Sequence, residues 1–399
     1  MLYDVAIIGG GPVGSRVADR MAGMGYHAVV LEQKESLGGP VCCTGIISRE
    51  CVDTFGIDES VILRRANSAR IYSPSGRLLS IQRRDFQACI VDRPAFNSAL
   101  AERAQSRGVE YVLGTTVTDL MVESDGVSIQ AARWGEENAD CYQARAVVIA
   151  TGSDLKMAHR MGLAELGDFV TGIQAEVATV GVDEVEVYLG SQITPDYFAW
   201  LVPTRPQKGL VGLLSRHNPG LYLKEFIASL CSQGKIAPAD PEFSYGLIPL
   251  KPVERSYGER FIVVGSAAGQ VKPTTGGGIY YGLLCADIAA ESLDRALHEG
   301  DLSARSLARY EKAWRNRLGR ELRIGHWARR FYEFLSDAQI ERLLDITIEE
   351  GIAEKMLGDG DISFDWHGKA LLRLLGQKAV SRVVRMMKVP SSLSRTGWR

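Results

Sequence analysis

Three apolar runs along the chain end in glycine, and they set out its frame. Val5-Ala6-Ile7-Ile8 leads into Gly9-Gly10-Gly11-Pro12-Val13-Gly14, Ala146-Val147-Val148-Ile149-Ala150-Thr151 into Gly152, and Phe261-Ile262-Val263-Val264 into Gly265. A run that is apolar on both faces reads as a strand buried in a parallel sheet. After the first of them, Ser15 to Gly23 reads as a helix with Val17, Ala18 and Met21 on one face. His27-Ala28-Val29-Val30-Leu31 is then a second strand, and it ends on Glu32.

Elsewhere the pattern changes period. Ala69 to Ile81 reads as a hairpin turned at Pro74-Ser75-Gly76. Asp92 is placed to cap a helix that carries Pro94 in its first turn and runs to about Arg107. Short strands are expected around Tyr111–Leu113, Val117–Glu123 and Val127–Ala131. From Phe169 to Leu214 strands and turns alternate, which predicts an antiparallel sheet. A long helix is expected from Ile279 to about Arg295, and the remainder is helical and charged. The chain therefore reads as α/β with an α+β insert. A nucleotide-binding domain is expected from 1–68, 85–160 and 255–300, an interleaved antiparallel-sheet substrate domain from 69–84 and 161–254, and a helical region from 301–399.

The first glycine cluster carries the clearest chemistry. Gly9, Gly11 and Gly14 form Gly-x-Gly-x-x-Gly between a strand and a helix. The first glycine makes the tight turn, the second lets backbone approach a pyrophosphate, and the third lets helix pack on strand. The helix start offers free N–H groups and a positive dipole end to phosphate. Glu32, 18 residues past Gly14, is placed to accept hydrogen bonds from a ribose. These features predict a dinucleotide and leave FAD and NAD both open.

Composition narrows the classes. Hydrophobic residues make up 46% and charged residues 24%, as in ordinary globular proteins, and a net charge of −2 gives no case for nucleic acid. Seven cysteines, paired in spacing only at Cys42-Cys43, argue against a disulfide framework, and no metal-ligand spacing appears among the six scattered histidines. The chain opens directly into a core strand and no apolar run reaches the ~18 residues of a spanning helix, so a cytoplasmic protein is expected, free or on a membrane surface.

Three separated segments carry a resemblance. The N-terminal fingerprint, Val148–Gly152 and Val264-Gly265-Ser266-Ala267-Ala268-Gly269 resemble the FAD-dependent, hydroxylase-like flavoproteins. Within these, Pro40-Val41-Cys42-Cys43-Thr44-Gly45 resembles the Pro-x-x-Cys turn of the geranylgeranyl reductase family. Phe198-x-Trp200-x-Val202-Pro203 with Val211-Gly212 is similar to that family's substrate motif, and Gln270 to Ile279 to its flavin-side loop. Tyr310-Glu311-Lys312-x-Trp314 and Gly319-Arg320-Glu321-Leu322 fit its C-terminal helices. The resemblance implies a Rossmann-like FAD domain and a flavoenzyme that saturates double bonds of polyprenyl chains. By position it places FAD contacts on Val13, Glu32, Cys43, Thr44, Ile46, Arg93, Val117, Ser266, Gly278 and Ile279, beside Gly9, Gly11, Gly14 and Gly265. Three positions depart from the pattern: Ser266 stands for Asp, Phe198 for Tyr and Val202 for Phe.

The same residues also have plain physical readings. A fixed Arg93 guanidinium suits phosphate, against an ordinary helix-start arginine. Cys43 is the candidate to face the flavin and supply the proton that completes alkene reduction, against a small buried hydrophobe. Phe198 and Trp200 alternate on a strand and so share a face; with Pro203 they are expected to line an apolar slot for the prenyl chain, against plain core. Gly276-Gly277-Gly278 before a helix is costly to order, which favours close cofactor approach. From His367 to Arg399 there are eight Lys or Arg and no acidic residue, so a basic amphipathic helix on an anionic bilayer stands beside a helix docked with a solvated face. The electron donor, a ferredoxin, a nicotinamide or a deazaflavin, is left open. So are two rival activities, a flavin monooxygenase or halogenase and an electron carrier to a quinone.

Overall fold

The computed structural model describes residues 2–376, apart from residues 40, 136–138, 155, 164–167, 239, 353 and 356–362. Pro40 of the Pro-x-x-Cys turn and most of the basic tail lie outside the described residues. The chain divides into two compact units, 1–40 with 93–169 and 248–320, and 41–92 with 170–247 and 321–399.

The first unit is built on an eight-stranded sheet. Its parallel centre places Leu2–Ile8 between Ala28–Leu31 and Ala139–Ile149, with Phe261–Val263 beyond. The register aligns Ile8 with both Leu31 and Ile149, and Ile149 with Val263. The carboxyl ends of these strands therefore lie level, and Gly9, Glu32, Ala150 and Val264-Gly265 follow them at one edge. That edge is where ligands bind in open α/β sheets. All three predicted runs are buried, with Val5, Ala6, Ile7, Val147, Val148, Ile149, Ile262 and Val263 shut off from solvent.

The fingerprint helix, Pro12–Gly23, buries Val17, Ala18 and Met21 as the spacing predicts. It is tied to the long helix Ile279–Glu299 by Arg16, whose Nε and Nη2 donate to the two carboxylate oxygens of Asp287 at 2.7 and 3.0 Å. The helix Arg93–Gln105 follows Asp92, whose carboxylate accepts from Arg205 at 2.7 Å within the second unit.

The second unit holds a seven-stranded sheet and a three-stranded sheet. The predicted hairpin is present as Ser68–Tyr72 and Leu78–Gln82. Phe169–Ala178, Lys208–Ser215, Phe198–Arg205 and Val185–Leu189 pair antiparallel in turn, but Val185–Leu189 meets Ser68–Tyr72 in parallel, so the sheet is mixed. Alternation along the strands sorts the faces. Ile173, Ala175, Ala199, Leu201, Val211 and Leu213 pack with Leu223, Phe226, Ile227 and Leu230 of the helix Pro219–Ser232. Gln174, Phe198, Trp200 and Gly212 belong to the opposite set.

Several boundaries differ from the sequence expectation. Residues 41–68 and 85–92 fall in the second unit, not the nucleotide-binding one, because Ile46–Ser48 and Ile62–Ala66 pair with Ala88–Val91 and this small sheet is tied to the larger one. The ties are Arg64, which donates to the Asp183 carbonyl, and Arg205, which donates to Asp92. Residues 248–254 fall in the first unit instead of the second. The C-terminal helices do not form a region of their own. The helix Ala304–Glu333 is divided between the units after Arg320, and Asp337–Glu349 is bound in the second, where Glu341 accepts from Ser73 and Ser75.

Candidate cofactor and substrate sites

In the first unit the fingerprint is shaped for a phosphate. Gly9 has φ +105°, and a side chain there would begin 2.5 Å from the Ala150 carbonyl oxygen. At Gly11 a side chain would meet nothing within 4 Å, which leaves room in front of the helix start. Gly11 is the N-cap and offers no side-chain cap, Pro12 opens the helix, and the first turn carries no acidic residue, so the N–H groups of Val13 and Gly14 stay available. Tyr111 donates to Ser15 Oγ at 2.9 Å and Ser15 Oγ to the Gly10 carbonyl at 3.1 Å, fixing the turn from behind. Burial pushes the Tyr111 phenol up to about 12, so it remains a donor.

Glu32 is 8% exposed. Its Oε2 accepts from Gly10 N–H at 2.6 Å and its Oε1 from Lys34 N–H at 2.9 Å, which leaves lone pairs on both oxygens for a ribose. The Glu32 carbonyl accepts from Thr115 N–H at 2.9 Å, and Val117 follows on the strand Thr115–Val122. Val117 is half-buried against the core. Arg93, the first residue of its helix, donates through Nη1 to Asn97 Oδ1 at 2.9 Å and lies over the Phe96 ring. Its Nε is buried with no partner, a cationic donor ready for an anion.

The second glycine cluster closes on the first through Val13. A side chain on Gly265 would begin 3.1 Å from Val13, and one on Gly282 would begin 2.6 Å from it. Gly265 has φ +75°, and its N–H donates to Gln270 Oε1 at 2.7 Å. Gln270 in turn donates to Tyr310 Oη at 2.8 Å, and Tyr310 to the Val263 carbonyl at 2.9 Å. Ser266 is half-buried, and a side chain on Gly278 would begin 3.4 Å from its Oγ, just before Ile279 starts the long helix. Gln270 is a site residue that sequence reasoning passed over as part of a loop; its only signal was a long polar side chain inside a glycine-rich run. Trp314 donates to Ser256 Oγ at 2.9 Å and Glu311 accepts from Ser256 N–H at 2.7 Å, so the Tyr-Glu-Lys-x-Trp stretch acts by bracing the strand ends.

In the second unit Cys43, Thr44 and Ile46 follow one another in a half-buried turn. Cys43 N–H donates to the Val41 carbonyl at 3.1 Å, and the Gly45 carbonyl accepts from Val91 N–H at 2.9 Å. Burial pushes the Cys42 thiol up to about 12, with Cys43 adding to it. None of the seven cysteines is in a disulfide, and no cluster of three His, Cys, Asp or Glu that could hold a metal is found among the described residues.

Phe198 and Trp200 lie on one face with ring centroids 6.0 Å apart, both half-buried. Trp200 Nε1 is buried without a partner. Gly212 makes the space for this ring, since a side chain there would begin 2.5 Å from Trp200 Cζ2. Pro203 is buried and pairs with Gly209, beside a bulge that lets proline sit within a sheet.

Known proteins match both halves. Residues 54–218 match the family of FAD dependent oxidoreductases. The chain is 31% identical over 359 residues to digeranylgeranylglycerophospholipid reductase 2 of Methanothermobacter thermautotrophicus, covering 86% of this chain and 91% of that protein. It is 28% identical over 356 residues to the digeranylgeranylglycerophospholipid reductase of Methanocaldococcus jannaschii, covering 86% and 90%. Among solved structures, a geranylgeranyl bacteriochlorophyll reductase-like protein from Thermoplasma acidophilum superposes with a TM-score of 0.85 at 24% identity over 97% of this chain and 98% of that one. A flavin-dependent brominase superposes at 0.69 with 15% identity, over 97% and 100%. The two structural likenesses speak to the fold. The open space at Gly11, the free helix N–H groups and the unpartnered Arg93 Nε fit the cofactor that these relationships assign, which is FAD. The chain belongs to the digeranylgeranylglycerophospholipid reductase family of FAD-dependent oxidoreductases.

Proposed function

We propose that this chain saturates carbon–carbon double bonds of geranylgeranyl chains carried on a membrane lipid or a prenylated precursor. What carries the reading is the extent of the likeness to the named reductases. A match of 359 residues cannot be contained in the nucleotide-binding unit, so it includes the sheet that bears Phe198 and Trp200. The brominase shares the fold at an identity too low to carry its chemistry.

Bound FAD, once reduced, supplies a hydride to one alkene carbon. Gly11, the free N–H groups of Val13 and Gly14, Glu32 and Arg93 hold the cofactor. Phe198 and Trp200 offer the apolar wall for the prenyl chain, whereas Pro203, expected beside them, shares the parity of Ala199 and Leu201 and so falls on the opposite face of the sheet. Cys43 gives its S–H proton to the second alkene carbon, and the thiolate left behind is reprotonated from water. Each saturation thus adds two hydrogens and consumes two electrons, which an external donor of the ferredoxin, nicotinamide or deazaflavin class restores.

No helix among the described residues is long and apolar enough to cross a membrane. A lipid substrate brings the chain to a bilayer surface, with the basic C-terminal stretch as the contact. Of that stretch only the start, the helix Gly368–Gly376 with Lys369 and Arg373, falls in the described residues.

The test is anaerobic. Purified holoenzyme is reduced with dithionite and mixed with geranylgeranyl lipid while product mass and flavin absorbance are followed. Mass gains in steps of two hydrogens with reoxidised flavin are expected. Flavin that stays reduced until oxygen or a quinone is added would overturn the reading in favour of a monooxygenase or an electron carrier.

A further inference from the structure

Cys42 and Cys43 are neighbours, yet among the described residues only the Cys42 thiol has a hydrogen-bond partner. Cys43 N–H donates to the Val41 carbonyl at 3.1 Å, closing a three-residue turn with Cys42 at its centre. That same carbonyl accepts from Gln174 Nε2 at 3.3 Å. The Cys42 thiol donates to the Gly172 carbonyl at 3.5 Å. Gly172 and Gln174 stand two apart on the strand Phe169–Ala178, so one strand grips the turn twice. Gly246 supports it from a third side, since a side chain there would begin 3.3 Å from Cys42 Cβ.

Gln174 is itself unusual. It is 5% exposed, and its Oε1 is buried with no partner. Its backbone lies opposite Gly212, and Gly212 lies opposite Trp200, whose Nε1 is also buried and unpartnered. An uncharged amide kept in such a place needs a reason, because leaving one end of it unsatisfied is costly. Its other end supplies that reason by holding the turn.

We propose that Gln174 is a positioning residue that, together with the Cys42 anchor, fixes the turn presenting the Cys43 thiol. The consequence for turnover rests on the reading of Cys43 as the proton source; the anchoring itself does not. Misplacing a reacting group by about 1 Å costs roughly 100-fold in rate, so a released turn slows proton delivery without weakening substrate binding.

Two measurements on the holoenzyme separate these layers. In the first, iodoacetamide labelling with peptide mass mapping follows Cys42, Cys43 and the exposed Cys141 as a control. Cys42 is protected in the wild type and becomes labelled in Gln174→Leu and in the isosteric Gln174→Glu, which lacks the donor, while Cys141 is unchanged. Cys42 that stays protected in both variants overturns the proposal. So does loss of folding by both, because Gln174 would then serve general stability. In the second, Gln174→Leu lowers kcat by roughly 10- to 100-fold, leaves KM and the flavin spectrum near wild type, and raises the solvent deuterium isotope effect. It adds nothing further in a Cys43→Ala background. If Cys43→Ala alone turns over like wild type, the proton-source reading falls, while labelling still decides the role of Gln174. If Cys43→Ala is impaired and Gln174→Leu is not, the positioning role falls and the proton-source reading stands.

Discussion

The carbonyl oxygen of Gly9 lies 1.9 Å from where a side chain on Gly14 would begin. No other pair in the fingerprint is so close, and the approach is backbone to backbone, so no side chain can yield. Gly14→Ala must separate helix from strand. It is expected to cost at least ~1–3 kcal/mol, the usual range for overpacking, and to lose FAD with it, because the helix start that faces the phosphate moves. Thermal melts and flavin occupancy of the purified variant check both. Gly11→Ala should keep the apo stability, since its side chain meets open space, yet lose FAD affinity by filling the place of the pyrophosphate.

Glu32 has two tasks, and substitution separates them. It pairs the buried N–H of Gly10 at 2.6 Å and offers its remaining lone pairs to a ribose. Glu32→Ala is expected to raise the Kd for FAD about 10- to 100-fold, as loss of a charged hydrogen bond worth ~1.5–3 kcal/mol implies. It should also lower the apo melting temperature, because Gly10 N–H is orphaned. Glu32→Gln can still pair Gly10 N–H but no longer accepts from Lys34 N–H, so its apo stability should lie between those of Glu32→Ala and the wild type while affinity falls. Flavin fluorescence titration and paired melts with and without FAD give the two readings.

Arg93 offers a fork rather than a point charge, with Nη1 held by Asn97 at 2.9 Å and Nε left over. Arg93→Lys keeps the charge and loses the fork. It should weaken FAD binding by about tenfold, in line with ~1.5 kcal/mol for one charge-assisted hydrogen bond, and make the remaining affinity more salt-sensitive. Titrations at two ionic strengths test this.

Cys42 should make stability fall at alkaline pH. Burial, with the neighbouring Cys43, raises its thiol to about 12 from the ordinary 9.0. The folded chain thus keeps a proton that the unfolded chain releases near pH 9. The contribution is fully present below that pH and lost as pH climbs toward about 12. Cys42→Ala, which lacks the titrating group, should melt below wild type at pH 8, and the gap should narrow between pH 9 and 11. A gap that is constant over that range would show that Cys42 titrates alike in both states.

What the sequence made legible was local. The strand–glycine–helix order around Gly9, the hairpin at Pro74-Ser75-Gly76 and the shared face of Phe198 and Trp200 each follow from a few adjacent residues, and each is present. The allegiance of 41–68 and of Ala88–Val91 was not legible, because it depends on Arg64 finding the Asp183 carbonyl 119 residues away and on Arg205 finding Asp92. Gln174 was invisible for the same reason. Its partner, the Val41 carbonyl, is 133 residues away and carries no side-chain signature. Gln270 was legible only in hindsight, since its buried bridge to Tyr310 spans 40 residues.

The relation of Gly212 to Trp200 leads to the sharpest test of the apolar wall. A side chain at Gly212 would begin 2.5 Å from Trp200 Cζ2 and 2.5 Å from the Ile173 carbonyl oxygen. The indole can swing aside, but the carbonyl cannot. Gly212→Ala should therefore displace the ring from its place beside Phe198 and strain the strand, at about 1–3 kcal/mol of stability. Gly212 belongs to the second unit, while Gly9, Gly11, Gly14, Glu32 and Arg93 belong to the first. FAD occupancy should accordingly survive, while turnover of a geranylgeranyl lipid falls. Trp200→Phe keeps an aromatic wall and removes the unpartnered Nε1 donor, so it should retain much of the activity and gain stability. A Gly212→Ala protein that binds FAD and reduces the lipid at the wild-type rate would show that the ring's position is irrelevant to the substrate. In that case Phe198 and Trp200 would revert to ordinary sheet packing.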